Sequence, residues 1–449
     1  MLPVFVTRPL MARPLMAALN AALALVLLLA TPLRAEIDIQ PVTSPQGFTA
    51  WLVEEHSIPF VAIELVFRGG ATIEPPEQLG GVGLMAALMS EGAGEMDAQE
   101  FAAAVEATAG GIRIDAGRDS VSVSIRALSE NRDEVMALAR LALTAPRFEE
   151  TALERVRAQA LAGLERSERN PNTIASRQFN ARAFADHPYA RPSDGTRETL
   201  GALTRDDIVA LHRQALTRDR VLIGAAGDIS AAELGALIDA LLGDLPEAEV
   251  PLPDYAAFAA PGGIEVIPHP GPQSVIAFGH AGIRRDDPDF LAAFVMNEIF
   301  GGGRFGTRLM SELRETRGLT YGVGTSVATA SFGDSFQGRV SVDNARAGEV
   351  VALLRDEWRW LAEGGITEAD LERVQTYLTG AYPLRFDGNS SIAEILASMQ
   401  FQGFDIEYVN IRNDLVRAVT LEDIHRVARR MIQPEALHFV IVGQPEGLE

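Results

Sequence analysis

The stretch TRDDIVALHRQALTRDRVLIGAAGD, residues 204–228, decides the fold because a second stretch repeats its pattern. That second stretch is TLEDIHRVARRMIQPEALHFVIVGQ, residues 420–444. Each begins with a Thr followed three residues later by an Asp, which is typical of a helix N-cap. Each continues with apolar residues at helical spacing and then a β-rich run that ends at a glycine. The repeat predicts two homologous halves.

The beginnings of the two halves also correspond. IPFVAIELVFRGGA (58–71) predicts a strand and a turn before a helix over GVGLMAALMSEG (81–92). SVIAFGHAGI (274–283) predicts a strand before a helix over DPDFLAAFVMNEIF (287–300). Residue-by-residue alternation, as in SVSVSIRAL (120–128), predicts further half-buried strands. We therefore predict an α+β fold of two homologous domains, each a largely antiparallel sheet with helices packed on one face.

The N-terminus has the features of a targeting segment. Arg8 and Arg13 precede a nearly continuous apolar run over residues 15–30, and Ala35 supplies a small residue for cleavage. This pattern predicts a signal peptide over residues 1–35 and a secreted, periplasmic protein. A retained membrane anchor is the alternative, although the run is somewhat short for a membrane span.

The remaining domain bounds follow from composition. Residues 246–263, PEAEVPLPDYAAFAAPGG, are rich in Pro and Ala and predict a linker. We therefore predict an N-terminal domain over residues 36–245 and a C-terminal domain over residues 264–449.

Composition excludes several classes of function. The net charge of −22 argues against a nucleic-acid partner, which would require clustered basic residues. The absence of Cys and Lys excludes thiol catalysis and Schiff-base chemistry. No two of the seven histidines lie three or four residues apart, so no helix can present a His pair to zinc. GGGRFG (301–306) follows a helical pattern rather than a strand, which disfavours nucleotide binding and favours a role in ending that helix.

RLMSELRETRGLTYGVGTSVAT, residues 308–329, is the stretch with the most candidate chemistry. Its spacing predicts a helix with Leu309, Leu313 and Met310 directed inward. Gly318 is the expected C-cap, and a strand is expected from the LTY that follows it.

Arg314 in that helix and Tyr321 just after the turn have two interpretations. If the chain reversal brings them to one edge, a guanidinium and a phenol can donate hydrogen bonds to a peptide carbonyl or a developing oxyanion. Alternatively, Arg314 is a surface residue paired with Glu312 or Glu315, and Tyr321 is an ordinary strand residue. These residues alone favour the second interpretation.

The whole arrangement resembles the M16 (insulinase or pitrilysin-type) metallopeptidase family. The resemblance covers essentially all of the mature chain, including the paired halves, the linker and HPYARPSDG (187–195). Its most specific part is DPDFLAAFVMNEIFGGGRFGTRLMSELRETRGLTY (287–321). Arg314 and Tyr321 fall on a family pair that binds substrate and helps to stabilise the transition state. The neighbouring Arg317 is expected to be structural.

The chain departs from the family at its zinc motif. Active members carry H-x-x-E-H on a helix, and that motif falls on residues 84–88. Leu84 and Leu88 stand at the two His positions, and Ala87 stands at the Glu position. Active members also use a distant Glu as a zinc ligand. The nearest carboxylates here are Glu154 and Glu165, and neither is assigned that role. We therefore expect no metal on this chain.

The resemblance implies a subunit that is inactive alone and pairs with a second M16 chain carrying H-x-x-E-H. Zinc is expected in that partner, and a peptide substrate is expected to add to a sheet edge. No nucleic acid and no membrane anchor after signal cleavage are expected. The acidic net charge favours basic or neutral peptides. The alternatives are a non-enzymatic scaffold or peptide-binding protein of the same fold, and an independent hydrolase whose site the sequence does not reveal.

Overall fold

The computed structural model describes residues 37–448. The predicted signal peptide over residues 1–35 therefore lies outside the described residues. From Ile39 onward the chain forms one compact unit. No helix in the described part of the chain is both long enough and apolar enough to span a membrane.

The first half contains eight strands and eight α-helices within the described residues. The strands are β1 (Gln40–Thr43), β2 (Thr49–Glu54), β3 (Phe60–Arg68), β4 (Gly92–Ala93), β5 (Met96–Asp97), β6 (Gly111–Ala116), β7 (Ser120–Leu128) and β8 (Val221–Gly227). The helices are α1 (Gly81–Leu88), α2 (Ala98–Ala107), α3 (Arg132–Thr144), α4 (Glu150–Glu168), α5 (Pro171–Phe184), α6 (Arg197–Ala202), α7 (Arg205–Ala215) and α8 (Ala231–Leu242).

The second half follows an irregular segment after α8. Its strands are β9 (Gly263–Pro268), β10 (Gln273–Ala281), β11 (Val323–Ala330), β12 (Gly333–Asp343) and β13 (His438–Gly443). Its helices are α9 (Phe290–Phe300), a π-helix (Met310–Thr316), α10 (Ala347–Ala362), α11 (Glu368–Ala381), α12 (Asn389–Phe401), α13 (Tyr408–Ala418) and α14 (Leu421–Met431). Short 3₁₀ turns occur at Gly70–Ile73, Pro76–Gln78, Ser129–Asn131, Pro188–Ala190, Asn344–Arg346, Tyr382–Phe386 and Pro434–Ala436.

The two sheets have the same internal order. The first runs β1-β2-β8-β3-β7-β6, and the second runs β11-β12-β10-β13-β9. Read in reverse, the second sheet matches the first without β1. In each sheet one pair is parallel, β2 with β8 and β9 with β13, and the other pairs are antiparallel. The predicted α+β fold class with two similar halves is confirmed.

The repeated helix starts form as predicted. The Thr204 hydroxyl accepts a hydrogen bond from the Asp207 N–H, and the Thr420 hydroxyl accepts one from the Asp423 N–H. Each Asp carboxylate in turn accepts from the N–H of its Thr, which completes a capping box. These local bonds satisfy N–H groups that a helix start otherwise leaves unpaired.

Each sheet is buried on both faces, and a helix of the other half covers one of them. Helix α5 packs on β10 and β13, whereas α12 packs across β2, β3 and β8. Gly224 in β8 permits the second contact, because a Cβ there would lie 2.1 Å from the Ala393 carbonyl oxygen of α12. The central strands β3 and β10 are accordingly buried along almost their whole length. Because each half contributes a helix to the sheet of the other, the two halves share one packed structure.

The structure shortens two predicted elements. Helix α1 ends at Leu88 rather than at Gly92, which instead begins the β4–β5 hairpin. The strand after Gly318 begins only at Val323. Before it, the Thr320 hydroxyl accepts a hydrogen bond from the Gly322 N–H and donates one to the Ser341 carbonyl, which holds a turn there.

Candidate functional site

Helix α1 carries the three positions of the lost zinc motif. Leu84 is 2% exposed and Leu88 is fully buried, and both belong to the hydrophobic core of the first half. Ala87 faces solvent with a methyl group. Within residues 37–448, no group of three His, Cys, Asp or Glu side chains is placed to hold a metal ion. The side chains of this helix therefore do not fit zinc, and no catalytic step can be derived through zinc on this chain.

The two carboxylates nearest the family's distant Glu position are engaged on the surface of α4. A Glu154 oxygen lies 3.3 Å from Arg157 Nε, and a Glu165 oxygen lies 2.6 Å from Arg169 Nη2. Both are ordinary helix ion pairs at i,i+3 and i,i+4 spacing. Nothing in these contacts supports a role as metal ligand.

Glu74 is a buried carboxylate at the start of α1 that the sequence interpretation missed. Its two oxygens accept hydrogen bonds from the Gly80 N–H at 3.0 Å and the Val82 N–H at 2.7 Å. Burial raises the pKa of Glu74 to about 7, against the opposing effect of the two N–H donors. The sequence offered only an indirect indication of this contact. The helix begins after Gly80, which has no side chain to cap it, so another residue must accept from the first N–H groups.

Arg314 lies on the π-helix and has an aromatic neighbour. Its guanidinium carbon is 4.7 Å from the centre of the Phe305 ring, a cation–π arrangement. The alternative prediction paired Arg314 with Glu312 or Glu315. No ion pair of Arg314 with either residue occurs in the part of the chain that the structure describes.

The arginines on either side of Arg314 have carboxylate partners. Arg308 lies 3.1 Å from Glu312 and 2.7 Å from Glu357, and Arg317 is also paired with Glu312. Arg317 was expected to be structural, and its guanidinium is paired with Glu312. Among the described residues, no carboxylate lies within ion-pair distance of Arg314.

Tyr321 lies on the turn between the π-helix and β11. The Gly318 backbone has a φ of +61°, and the Leu319 N–H donates to the Leu313 carbonyl at 2.8 Å, so the chain reverses direction here. Tyr321 is 88% exposed, and Phe305 is 73% exposed. We refer to Phe305, Arg314 and Tyr321 as the Arg/Tyr site. No hydrogen bond joins Arg314 to Tyr321 among the described residues.

The two candidate regions are held by different elements. Helix α1 packs against α4, α7 and β6, which all belong to the first half, whereas the Arg/Tyr site belongs to the second. The Arg/Tyr site offers hydrogen-bond donors from a guanidinium and a phenol but contains no nucleophile and no general base. Either donor can bind a carbonyl oxygen and stabilise negative charge that develops on it. It cannot activate water.

Two models of known protein families match the chain. Residues 50–197 match the family model described as Insulinase (Peptidase family M16). Residues 202–378 match the model described as Peptidase M16 inactive domain. Together the two matches cover most of the chain.

Individual relatives and solved structures give the same result. The chain is 25% identical to the Helicobacter pylori protein named non-peptidase homolog YmxG, over 87% of this chain and 90% of that protein. It is 24% identical to a probable mitochondrial-processing peptidase subunit beta of Schizosaccharomyces pombe, over 68% and 69% of the two chains. The crystal structure of a peptidase M16 inactive domain from Pseudomonas fluorescens matches with a TM-score of 0.85 and 26% identity, over 92% of this chain and 100% of that one.

Proposed function

The chain belongs to the M16 peptidase family but is not a zinc peptidase on its own, and we propose that it is the non-catalytic subunit of a heterodimeric metalloendopeptidase. Its partner would be a second M16 chain with H-x-x-E-H, which would hold the zinc and the general base. This chain would bind the peptide carbonyl through Arg314 and Tyr321 and stabilise the charge that develops on its oxygen. The complex would act in the periplasm.

One observation carries the proposal: the donors of the Arg/Tyr site have no hydrogen-bond acceptor among residues 37–448. Tyr321 is 88% exposed, and Arg314 lacks a carboxylate partner in the described residues although Arg308 and Arg317 beside it both have one. No internal ion pair must break before these donors bind a ligand, so the remaining cost is the loss of bound water and of side-chain freedom. A peptide carbonyl presented from outside the chain would supply the missing acceptor.

The names of two relatives support a non-catalytic chain that acts together with a second subunit. One relative is named a non-peptidase homolog, and another is named as one subunit of a processing peptidase. The side chains at Leu84, Ala87 and Leu88 can neither bind zinc nor accept a proton. A chain of this kind can contribute to peptide cleavage only if a second chain supplies those groups.

The direct test compares cleavage of quenched fluorescent peptides by this chain, by an M16 partner carrying H-x-x-E-H, and by the mixture. We expect the chain alone to be inactive and the mixture to be faster than the partner. If the two chains bind each other but the mixture is no faster, the proposal is wrong and the scaffold alternative is favoured.

Substitutions in the mixture test the Arg/Tyr site itself. Arg314→Ala or Tyr321→Phe should each lower kcat/KM by about 100-fold, the scale for loss of one oxyanion donor. Arg317→Ala is the matched control, because its guanidinium is already paired with Glu312, and it should leave kcat/KM nearly unchanged. An equal effect of all three substitutions would indicate general disruption of the segment and would contradict the proposed role.

A further inference from the structure

A cavity between the two halves is lined by four arginines. It has a volume of about 590 Å³ and contains Arg118, Arg177 and Arg191 of the first half together with Arg339 of the second. Asp194 is the one carboxylate among its lining residues. We refer to this space as the arginine cavity. Its lining is strongly basic in a protein whose net charge is −22.

Most of this positive charge is not neutralised within the chain. Arg177 is paired with Asp194 at 2.5 Å. Among residues 37–448, no carboxylate lies within ion-pair distance of the other three. Arg118 lies over the Tyr189 ring, Arg191 donates to the Glu74 carbonyl at 3.3 Å, and Arg339 donates to the Ser176 hydroxyl at 2.6 Å. Each is held in place by a neutral group, so its charge remains available.

The arginine cavity adjoins a second cavity that borders β11. This second cavity of about 410 Å³ shares Ser176, Asn180 and Arg339 with it and runs along β11 and β12. Its lining includes Gly324, the second residue of β11, which lies three residues after Tyr321. The three shared residues place the two spaces side by side, and the second lies along the strand that begins two residues after Tyr321.

Another cavity between the halves provides the contrast. It has a volume of about 430 Å³, and Arg68, Arg284 and Arg285 line it together with Asp119, Asp286 and Asp334. Its three positive charges are balanced by three carboxylates, so this cavity favours neither acidic nor basic ligands. The arginine cavity has no such balance, and its lining also includes the side chains of Asn172, Thr173 and Ser193, which can donate hydrogen bonds.

We propose that the arginine cavity binds acidic side chains of the peptide substrate, so that this subunit selects peptides with Asp or Glu near the cleaved bond. The inference rests on the proposed function, which makes the ligand a peptide. It is opposite to the preference for basic or neutral peptides that the net charge alone predicts. The sign of a local field depends on the nearest charges, since distant surface charges are screened within about 10 Å at ordinary salt.

The test measures binding of short peptides to the full chain without a partner. Three peptides of equal length carry Glu, Gln or Lys at the same positions and a neutral dye for fluorescence anisotropy. We expect the Glu peptide to bind about tenfold more tightly than the Gln peptide and the Lys peptide to bind most weakly, with the preference lost at high salt. Equal binding of the Glu and Gln peptides would overturn the inference.

Substitutions test whether the arginine cavity causes the preference for the Glu peptide. The double substitution Arg118→Gln with Arg339→Gln keeps hydrogen-bonding side chains and should abolish the preference for Glu. Arg339→Glu should shift the preference toward the Lys peptide, a reversal that a merely structural role would not produce. Arg213→Glu on the exposed side of α7 is the control, because it changes the net charge by the same amount as either variant, and it should bind as the unaltered protein does. A Glu preference that survives the double substitution would place the anion site elsewhere and overturn the assignment.

This experiment is separable from the test of the proposed function. Peptide binding by the chain alone requires no zinc-bearing partner, so the cavity can be confirmed even if mixing produces no rate increase. Conversely, a mixture that depends on Arg314 but cleaves Glu and Gln peptides equally well would support the proposed function and contradict this inference.

Discussion

Helix α1 and the Arg/Tyr site lie on similar sheets but differ in the burial and polarity of their side chains. Each lies in the segment of chain that connects a central strand of its sheet to an edge strand. For α1 this segment runs from β3 to β6, and for the Arg/Tyr site it runs from β10 to β11. Leu84 and Leu88 of α1 are buried in the core, and their side chains present no polar atom. Tyr321 is 88% exposed, and Arg314 is half-buried and has no carboxylate partner among the described residues. The first region contributes to stability, and the proposed chemistry falls on the second. The two sheets have the same strand order, but these connecting segments differ. This is expected when binding residues lie on connections that a rigid sheet positions.

The largest expected effect tests the structural half of this contrast. Leu88→Ala should lower the free energy of unfolding by about 4 kcal/mol, because it removes a fully buried side chain and leaves a cavity. Chemical denaturation measures this change. Ala87→Ser, one position earlier and exposed, is the control and should change stability by less than about 0.5 kcal/mol. If both variants were equally stable, α1 would not be a core element and the contrast would break.

A somewhat smaller effect concerns Glu74 at the start of α1. Its pKa rises from 4.5 to about 7 on folding, so the folded state holds a proton that the unfolded state has released. The stabilisation is therefore complete below pH 4.5 and is lost as the pH rises to about 7, by up to about 3 kcal/mol. Glu74→Gln should remove this component from the pH dependence of unfolding. The same slope in the variant and the unaltered protein would show that Glu74 does not titrate as the structure indicates.

The smallest expected effect sharpens the chemical half of the contrast. Phe305→Leu removes the ring under Arg314 and should lower kcat/KM of the mixture by about threefold, the scale of an exposed cation–π contact. Stability should not change measurably, because Phe305 is 73% exposed. Tyr377→Leu is the matched control, since its ring lies under Arg304 at 4.0 Å outside the Arg/Tyr site. If Tyr377→Leu had the same effect, the ring under Arg314 would have no specific part in positioning it.

The sequence predicted local structure well where residues close in the chain decide it. The caps at Thr204 and Thr420 formed, and the predicted strands β7, β8 and β13 match the observed bounds. Two predictions in the stretch over residues 308–329 were less accurate. The helix is a π-helix, and β11 starts later than expected because the Thr320 hydroxyl holds a turn before it.

Two histidines on amphipathic helices make contacts that only the structure could reveal. His212 Nε2 lies 2.9 Å from the Leu143 carbonyl oxygen, and His425 Nε2 lies 3.0 Å from that of Ile366. Burial lowers the pKa of His212 to about 4, so it is neutral at physiological pH. The partners are far away in sequence, and no local pattern identifies them.

By itself the sequence determined the repeat, the fold class and the loss of the zinc motif, because these depend on residue identity and on spacing along the chain. Hydrocarbon at Leu84 and Leu88 cannot bind a metal in any fold. Only the tertiary structure decided that α5 and α12 cover each other's sheets, that Glu74 is buried at a helix start, and that four arginines share one cavity. Each of these depends on residues that are distant in sequence and adjacent in space. Burial and electrostatic interactions act over distances in space, so they are fixed only once the chain has folded.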